Sequence, residues 1–148
     1  MTVAEGLKIP VDEEAEAGLV ACCVDSHVAF LLAASRVQSD DFYVPRHRRL
    51  FDACASLGRL DGPSWDTRNE RVVEAARIAG VAEKELRKML DERTTSDDKA
   101  GRLAARIVDA RRRRDLMSLT ARVYNAVAVG ARLDEVEPLL DQLRTFPC

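Results

Sequence analysis

Three groupings of side chains in this sequence have types and spacings that could do chemistry. The first is Cys23 and His27, four residues apart, which a continuous helix would set on one face within reach of a metal ion. Zinc would need two further nitrogen or sulfur ligands. The adjacent Cys22 would point about 100° away on such a helix, and Ser26 favours a helix break between the pair. The second is the run "RRRR" at 111–114. Four consecutive helical residues fan around the whole circumference and make no single patch. Arg102, Arg106 and Arg113 do share a strip and are the candidate phosphate contacts, but Asp109 lies in the same strip, as in an ion-pair ladder. The third is Phe42 and Tyr43 ahead of Arg46, His47, Arg48 and Arg49, an aromatic pair beside basic residues on which bases could stack. Asp40 and Asp41 precede it and repel phosphates, so packing of the pair is expected over base stacking, with His47 packing or capping there.

These groupings bound the function. A formal charge of −2 lacks the basic footprint of a nucleic-acid binder. The four cysteines, Cys22, Cys23, Cys54 and Cys148, show no CxxC spacing and are expected to be thiols. No metal and no cofactor are expected. With two histidines, no phosphate-cradling glycine loop and no nucleophile elbow, no enzymatic constellation emerges. Glu13, Glu14 and Glu16 read as charges complementing a helix start.

The elements that would position these residues are helical throughout, with no alternating strand pattern. Asp12 caps a first helix that buries Leu19, Val20, Cys22, Cys23 and Val24 and ends near Asp25. Ser26 caps a second, carrying Val28, Phe30, Leu31 and Leu32. Ser39 or Asp40 caps a turn, and Pro45 opens a third helix with Leu50, Phe51, Cys54 and Leu57 as its core stripe. Asp66 or Thr67 caps a fourth, with Val72, Val73, Ala76 and Ile78 inside and Gly80 as its stop. A fifth buries Val81, Leu86, Met89 and Leu90.

From Lys99 to about Val129 one helical segment runs without Gly or Pro after Gly101. Leu103, Ile107, Ala110, Arg114, Met117, Ala121, Tyr124 and Ala128 follow alternating steps of four and three, the spacing of a long packing seam. Leu116, Leu119, Val123 and Val127 form a second row. Gly130 turns the chain, and Asp134 begins a last helix with Val136, Leu139, Leu140 and Leu143. The expected architecture is all-α, a small helical head of about five helices over 10–95 followed by an antiparallel helical hairpin over 97–145. At 148 residues this fits one domain.

The order of the motifs carries a resemblance. "IPVDEEAEAGLVACCV", "DDFYVPRHRRLFDA", "DGPSWD" and "TSDDKAGRLAARIVDARRRRDLMSL" resemble the N-terminal domain of DnaB-type replicative DNA helicases. The family's proline ahead of Glu-Ala-Glu and a small residue in mid-helix is matched by Pro10, Glu14, Ala15, Glu16 and Ala21. Its Asp-Phe-Tyr, histidine and apolar-Phe pair fall on Asp41, Phe42, Tyr43, His47, Leu50 and Phe51. Its Gly-x-Pro-x-Asp turn is approximated by Gly62, Pro63 and Asp66, with one extra residue. The Ile-Val and Arg-x-Leu of its hairpin are approached by Ile107, Val108, Arg114 and Leu116. The resemblance implies a head plus hairpin whose hairpins pair between subunits, giving a collar where primase docks.

Such helicases continue into a motor with a G-x-x-x-x-G-K-[ST] loop, which these 148 residues do not contain. The chain is therefore expected to be a non-catalytic interaction module of replication, contacting itself and the replicative helicase, the primase or both. Arg114, Leu116, Leu119, Val123, Val127, Val136, Leu139, Leu140 and Leu143 are the expected interface. An arginine-dependent nucleic-acid-binding or regulatory protein is the alternative. No stretch reaches the ~20 apolar residues of a membrane span, and the acidic start is unlike a secretory signal, so a cytoplasmic location is expected.

Overall fold

Local signals set the helices where the chain can satisfy their ends. In the computed structural model, which describes residues 8–60 and 67–147, the Asp12 carboxylate accepts the Ala15 N–H at 3.0 Å and starts α1 (Glu13–Asp25). Ser26 serves two helices. Its N–H closes α1 on the Cys22 carbonyl at 3.0 Å, and its hydroxyl accepts the Ala29 N–H at 3.2 Å to open α2 (His27–Ala34). A 3-10 turn (Ser39–Asp41) leads into α3 (Pro45–Cys54), where Pro45 occupies a first-turn position that needs no donor. A second 3-10 segment (Ala55–Leu60) holds Leu57, which the sequence placed on α3 itself. Then follow α4 (Thr67–Ala79), α5 (Glu83–Asp91), α6 (Asp97–Ala128) and α7 (Leu133–Arg144). No strand occurs among the described residues. The expected turn at Gly62, Pro63 and Asp66, and Cys148, lie outside them.

Two glycines end helices in a conformation that other residues resist. Gly80 (φ 67°) and Gly130 (φ 76°) are left-handed. Beyond each, an N–H reaches back five residues, from Val81 to the Ala76 carbonyl and from Ala131 to the Ala126 carbonyl, both at 3.0 Å.

The described residues divide into two compact units, one within 12–109 and one of 8–11 with 110–147. The division falls inside α6, whereas the sequence boundary lay at 95–97, ahead of that helix.

The first unit, the head, is organised around α1. Every residue from 15 to 24 is buried, so this helix is enclosed on all sides, with α2, α3, α4 and α5 against it. Leu50, Phe51, Cys54, Leu57, Leu86, Met89 and Leu90 join it in one cluster, with Val81 packed at its edge. Ala100, Leu103, Ala104 and Ile107 bring the start of α6 into the same core. A Cβ on Gly18 would meet Leu103 Cδ1 at 3.0 Å, so α1 presents hydrogen where α6 comes closest.

One expected core assignment is corrected. On α4 the buried stripe is Val72, Ala75, Ala76 and Ala79, while Val73 and Ile78 face outward, 43 % and 41 % exposed. On α2, Ala29 and Ala33 face the core and Val28, Leu31 and Leu32 are exposed. On α2 the alanines take the inner face, whereas α4 also turns the larger Val72 and Arg71 inward.

Candidate protein-interaction surface

The second unit, the hairpin, is where the apolar surface is least covered. After the Gly130 turn α7 runs back along α6, and Arg122 Nη2 donates to Gln142 Oε1 at 3.4 Å. Leu119 and Val136 are buried within this unit, as is Ala110. Among the expected interface residues these two fill the interior of the hairpin. Val123, Leu139 and Leu143 are half-buried. Leu116, Val127 and Leu140 are exposed, Val127 at 60 %. The seam residue Tyr124 is also 49 % exposed, and Val129 and Leu133 at the turn each stand 81 % exposed. Sequence spacing put Tyr124 on the seam but did not single out Ile9, Val129 or Leu133. The signal available for Val129 and Leu133 was their apolar character beside the Gly130 turn.

Arg114 is half-buried, as its place in the seam suggested. Its Nη1 donates a hydrogen bond to the Pro10 carbonyl at 2.9 Å. Of the candidate phosphate contacts, Arg102 and Arg113 are exposed. Arg106 grips the Asp12 carboxylate with two bonds, 2.9 Å and 3.0 Å, and not the Asp109 rung of the expected ladder. Arg111 pairs with Asp115 at 3.0 Å one turn on.

In the head, the polar residues have structural work. Glu16, read from sequence as a helix-start charge, is 1 % exposed. Its carboxylate accepts the N–H groups of Tyr43 (3.0 Å) and Val44 (3.1 Å) and lies 3.1 Å from His47 Nδ1. Burial pushes this carboxyl up, but the bonds from His47, Tyr43 and Val44 outweigh it and hold the group below its ordinary range. Residues of the first two stretches that carry the resemblance thus meet at one corner. Phe42 is fully buried there, its ring centroid 4.9 Å from that of Phe51. Tyr43 departs from expectation, its side chain 45 % exposed while its backbone is held.

Arg71 on α4 is completely buried and donates to three carbonyls, Val24 (2.5 Å), Leu57 (2.8 Å) and Cys23 (3.2 Å). Two of these are terminal carbonyls of α1, which has no basic residue in its own last turn. Both charged residues had a legible signal. Glu16 sits within an otherwise apolar run, and Arg71 shares the Ala75 and Ala79 face at steps of four. Cys22, Cys23 and Cys54 are buried free thiols. Burial raises all three, Cys54 to about 12, against a smaller opposing pull from Arg71 on Cys23 and Cys54. Such thiols are unreactive. Ser26 separates Cys23 from His27, whose ring stacks on Phe30 at 5.7 Å. Among the described residues no group of three His, Cys, Asp or Glu side chains could hold a metal, and no helix is long and apolar enough to cross a membrane.

Comparison with known proteins bears on this arrangement. Residues 8–64 match the family model described as DnaB-like helicase N terminal domain. The fold is similar to the crystal structure of the N-terminal domain of DnaB helicase from Mycobacterium tuberculosis, with a TM-score of 0.70 and 22 % identity over 95 % of this chain and 100 % of that one. No curated protein matches the sequence.

Proposed function

We propose that this chain, whose residues 8–64 match the DnaB-like helicase N terminal domain family model and whose fold is similar to that of such a domain, is a non-catalytic interaction module of cytoplasmic DNA replication. It self-associates through the α6–α7 hairpin and contacts the replicative helicase, the primase or both. The supporting observation is the uncovered apolar surface of the hairpin, where Leu116, Tyr124, Val127, Leu133 and Leu140 are exposed beside buried Leu119 and Val136.

Physical chemistry turns that surface into a requirement for a partner. α7 has twelve residues, one of them the internal Pro138, and one buried side chain, Val136. A helix of about 12 residues is marginal in water by itself, and an interior proline costs about 3 kcal/mol more. Packing against α6 alone leaves the open side of both helices wet. A second hairpin laid on that side completes a four-helix arrangement with an enclosed core. The half-buried Val123, Leu139 and Leu143 then form its edge.

Sedimentation velocity tests the reading. The variant carrying Leu116→Asp and Val127→Asp should sediment as single chains while keeping its helical circular dichroism, whereas the parent associates. These exposed positions are chosen because a charge at buried Leu119 would disrupt the hairpin itself. An unchanged sedimentation profile in the double variant would remove the hairpin from the assembly. Titration of the parent with purified helicase and primase then identifies which of them it contacts. The arginine-dependent alternative keeps the exposed Arg102 and Arg113, and requires a mobility shift with single- or double-stranded DNA that weakens steeply with salt.

A further inference from the structure

Where α1, α3 and α5 converge, the head keeps a groove of about 350 Å³, near the small end of the range for ligand pockets. Ala17 and Met89 are its buried apolar lining. His47 lines it too, 3 % exposed, with its ring fixed by Glu16. The Glu16 carboxylate already accepts two backbone N–H groups and can only accept from the ring, so His47 Nδ1 carries the proton. In the neutral ring Nε2 is then an acceptor, with no partner among the described residues. The cations around the groove are engaged. Arg46 lies 3.6 Å from Glu85, Lys88 lies 3.9 Å from Glu92, and Arg93 donates to Glu14 at 3.1 Å and 3.0 Å. Glu13 is exposed and has no ion-pair partner among the described residues, and the Asp12 cap, not Glu13, accepts the first amide of α1. One negative charge and one ring acceptor are left over beside an apolar wall.

We infer that this groove receives an arginine or lysine side chain of a partner protein, its stem against Ala17 and Met89 and its charged head bonded to Glu13 and His47 Nε2. The inference deepens the interaction reading above and rests on it for the partner being a protein. Charge complementarity selects the occupant. An anion would face the Glu13 charge and the Nε2 lone pair, and an apolar group would bury both without a donor. Arginine and lysine carry a methylene stem and a donor head in one side chain. Because Glu16 holds the ring in advance, the acceptor needs no reordering when the cation arrives.

Nuclear magnetic resonance on the intact chain tests this with the peptide acetyl-Gly-Arg-Gly-amide and its counterpart acetyl-Gly-Glu-Gly-amide. The arginine peptide should shift the His47 ring and Met89 methyl signals to saturation, while the glutamate peptide leaves them in place. Glu13→Gln, a change at an exposed position, should weaken binding of the arginine peptide about fivefold. Glu13→Lys should weaken the complex with purified helicase or primase roughly tenfold. Saturation by the glutamate peptide, or by neither peptide, overturns the site. If the arginine peptide binds but Glu13→Lys holds helicase and primase as tightly as the parent does, the occupant is not a side chain of either partner and the inference is overturned. If the parent binds neither protein, the interaction reading falls, and the peptide titration still decides whether the groove takes a cation.

Discussion

The two ends of α6 carry one sequence pattern and meet opposite fates. In the head, Leu103 and Ile107 are 5 % and 1 % exposed, sealed into a core that five other helices help to build. In the hairpin, the same alternating steps of four and three reach Tyr124 at 49 % exposure, and the neighbouring row reaches Val127 at 60 %. A periodic apolar stripe says that a helix needs cover. It does not say whether the chain supplies that cover. The number of other helices in the unit decides, and the hairpin has one.

Substitutions can break or sharpen this contrast. The largest effect is expected at Arg71. Replacement by Met leaves the carbonyls of Cys23, Val24 and Leu57 without their donor, each buried acceptor costing about 1–3 kcal/mol. Urea unfolding should lose more than ~3 kcal/mol, and a loss under ~1 kcal/mol would mean that α1 does not depend on this contact. Next come two leucines on one helix, both 5 % exposed. Leu103→Ala should destabilise the head by about 2–5 kcal/mol. Leu119→Ala should leave the head's unfolding transition in place and speed amide exchange along α7. Equal responses of the two units to both changes would erase the distinction drawn here.

Glu16→Gln should cost about 1–3 kcal/mol at neutral pH, since a charge-assisted acceptor of two backbone amides is replaced by a neutral one. Its pH dependence has a definite sign. The folded carboxyl titrates below its ordinary value of 4.5, so its stabilisation is complete above that value and is lost as pH falls through the lower folded one. The parent's stability should therefore drop in that acidic window more steeply than the variant's. The smallest effect is expected for Arg106→Ala. The pair with Asp12 is half-exposed and should change stability by less than ~1 kcal/mol.

Much of the fold was legible because caps and turns speak locally. Asp12, Ser26, Pro45, Gly80 and Gly130 each mark a helix boundary by their own chemistry, and the boundaries lie where those residues stand. Facing direction was less legible where large and small residues compete for one interface. Val28, Leu31, Leu32, Val73 and Ile78 are apolar enough for a core, yet Ala29 and Ala33 hold the inner face of α2, and Val72 and Arg71 join three alanines on that of α4. The buried charges escaped for a different reason. A glutamate near a helix start has an adequate local explanation, and the amides of Tyr43 and Val44 that it serves arrive from nearly thirty residues away. In the hairpin, spacing identified the stripe but could not divide Leu119 and Val136, which face each other's helix, from Leu116 and Val127, which do not.

The shared residue between the first two helices freezes the length of the chain at that spot. With Ser26 closing one helix and opening the next, no slack exists to absorb an insertion. One extra amino acid after it would offer Val28 and Leu32 to the slots shaped for Ala29 and Ala33, overfilling them by several methyl groups. It would also pull the His27 ring from above Gly58, where a methyl group would already come within 2.8 Å of Nε2. Natural variants of this domain should differ freely in side chains around the junction and hardly at all in residue count across it.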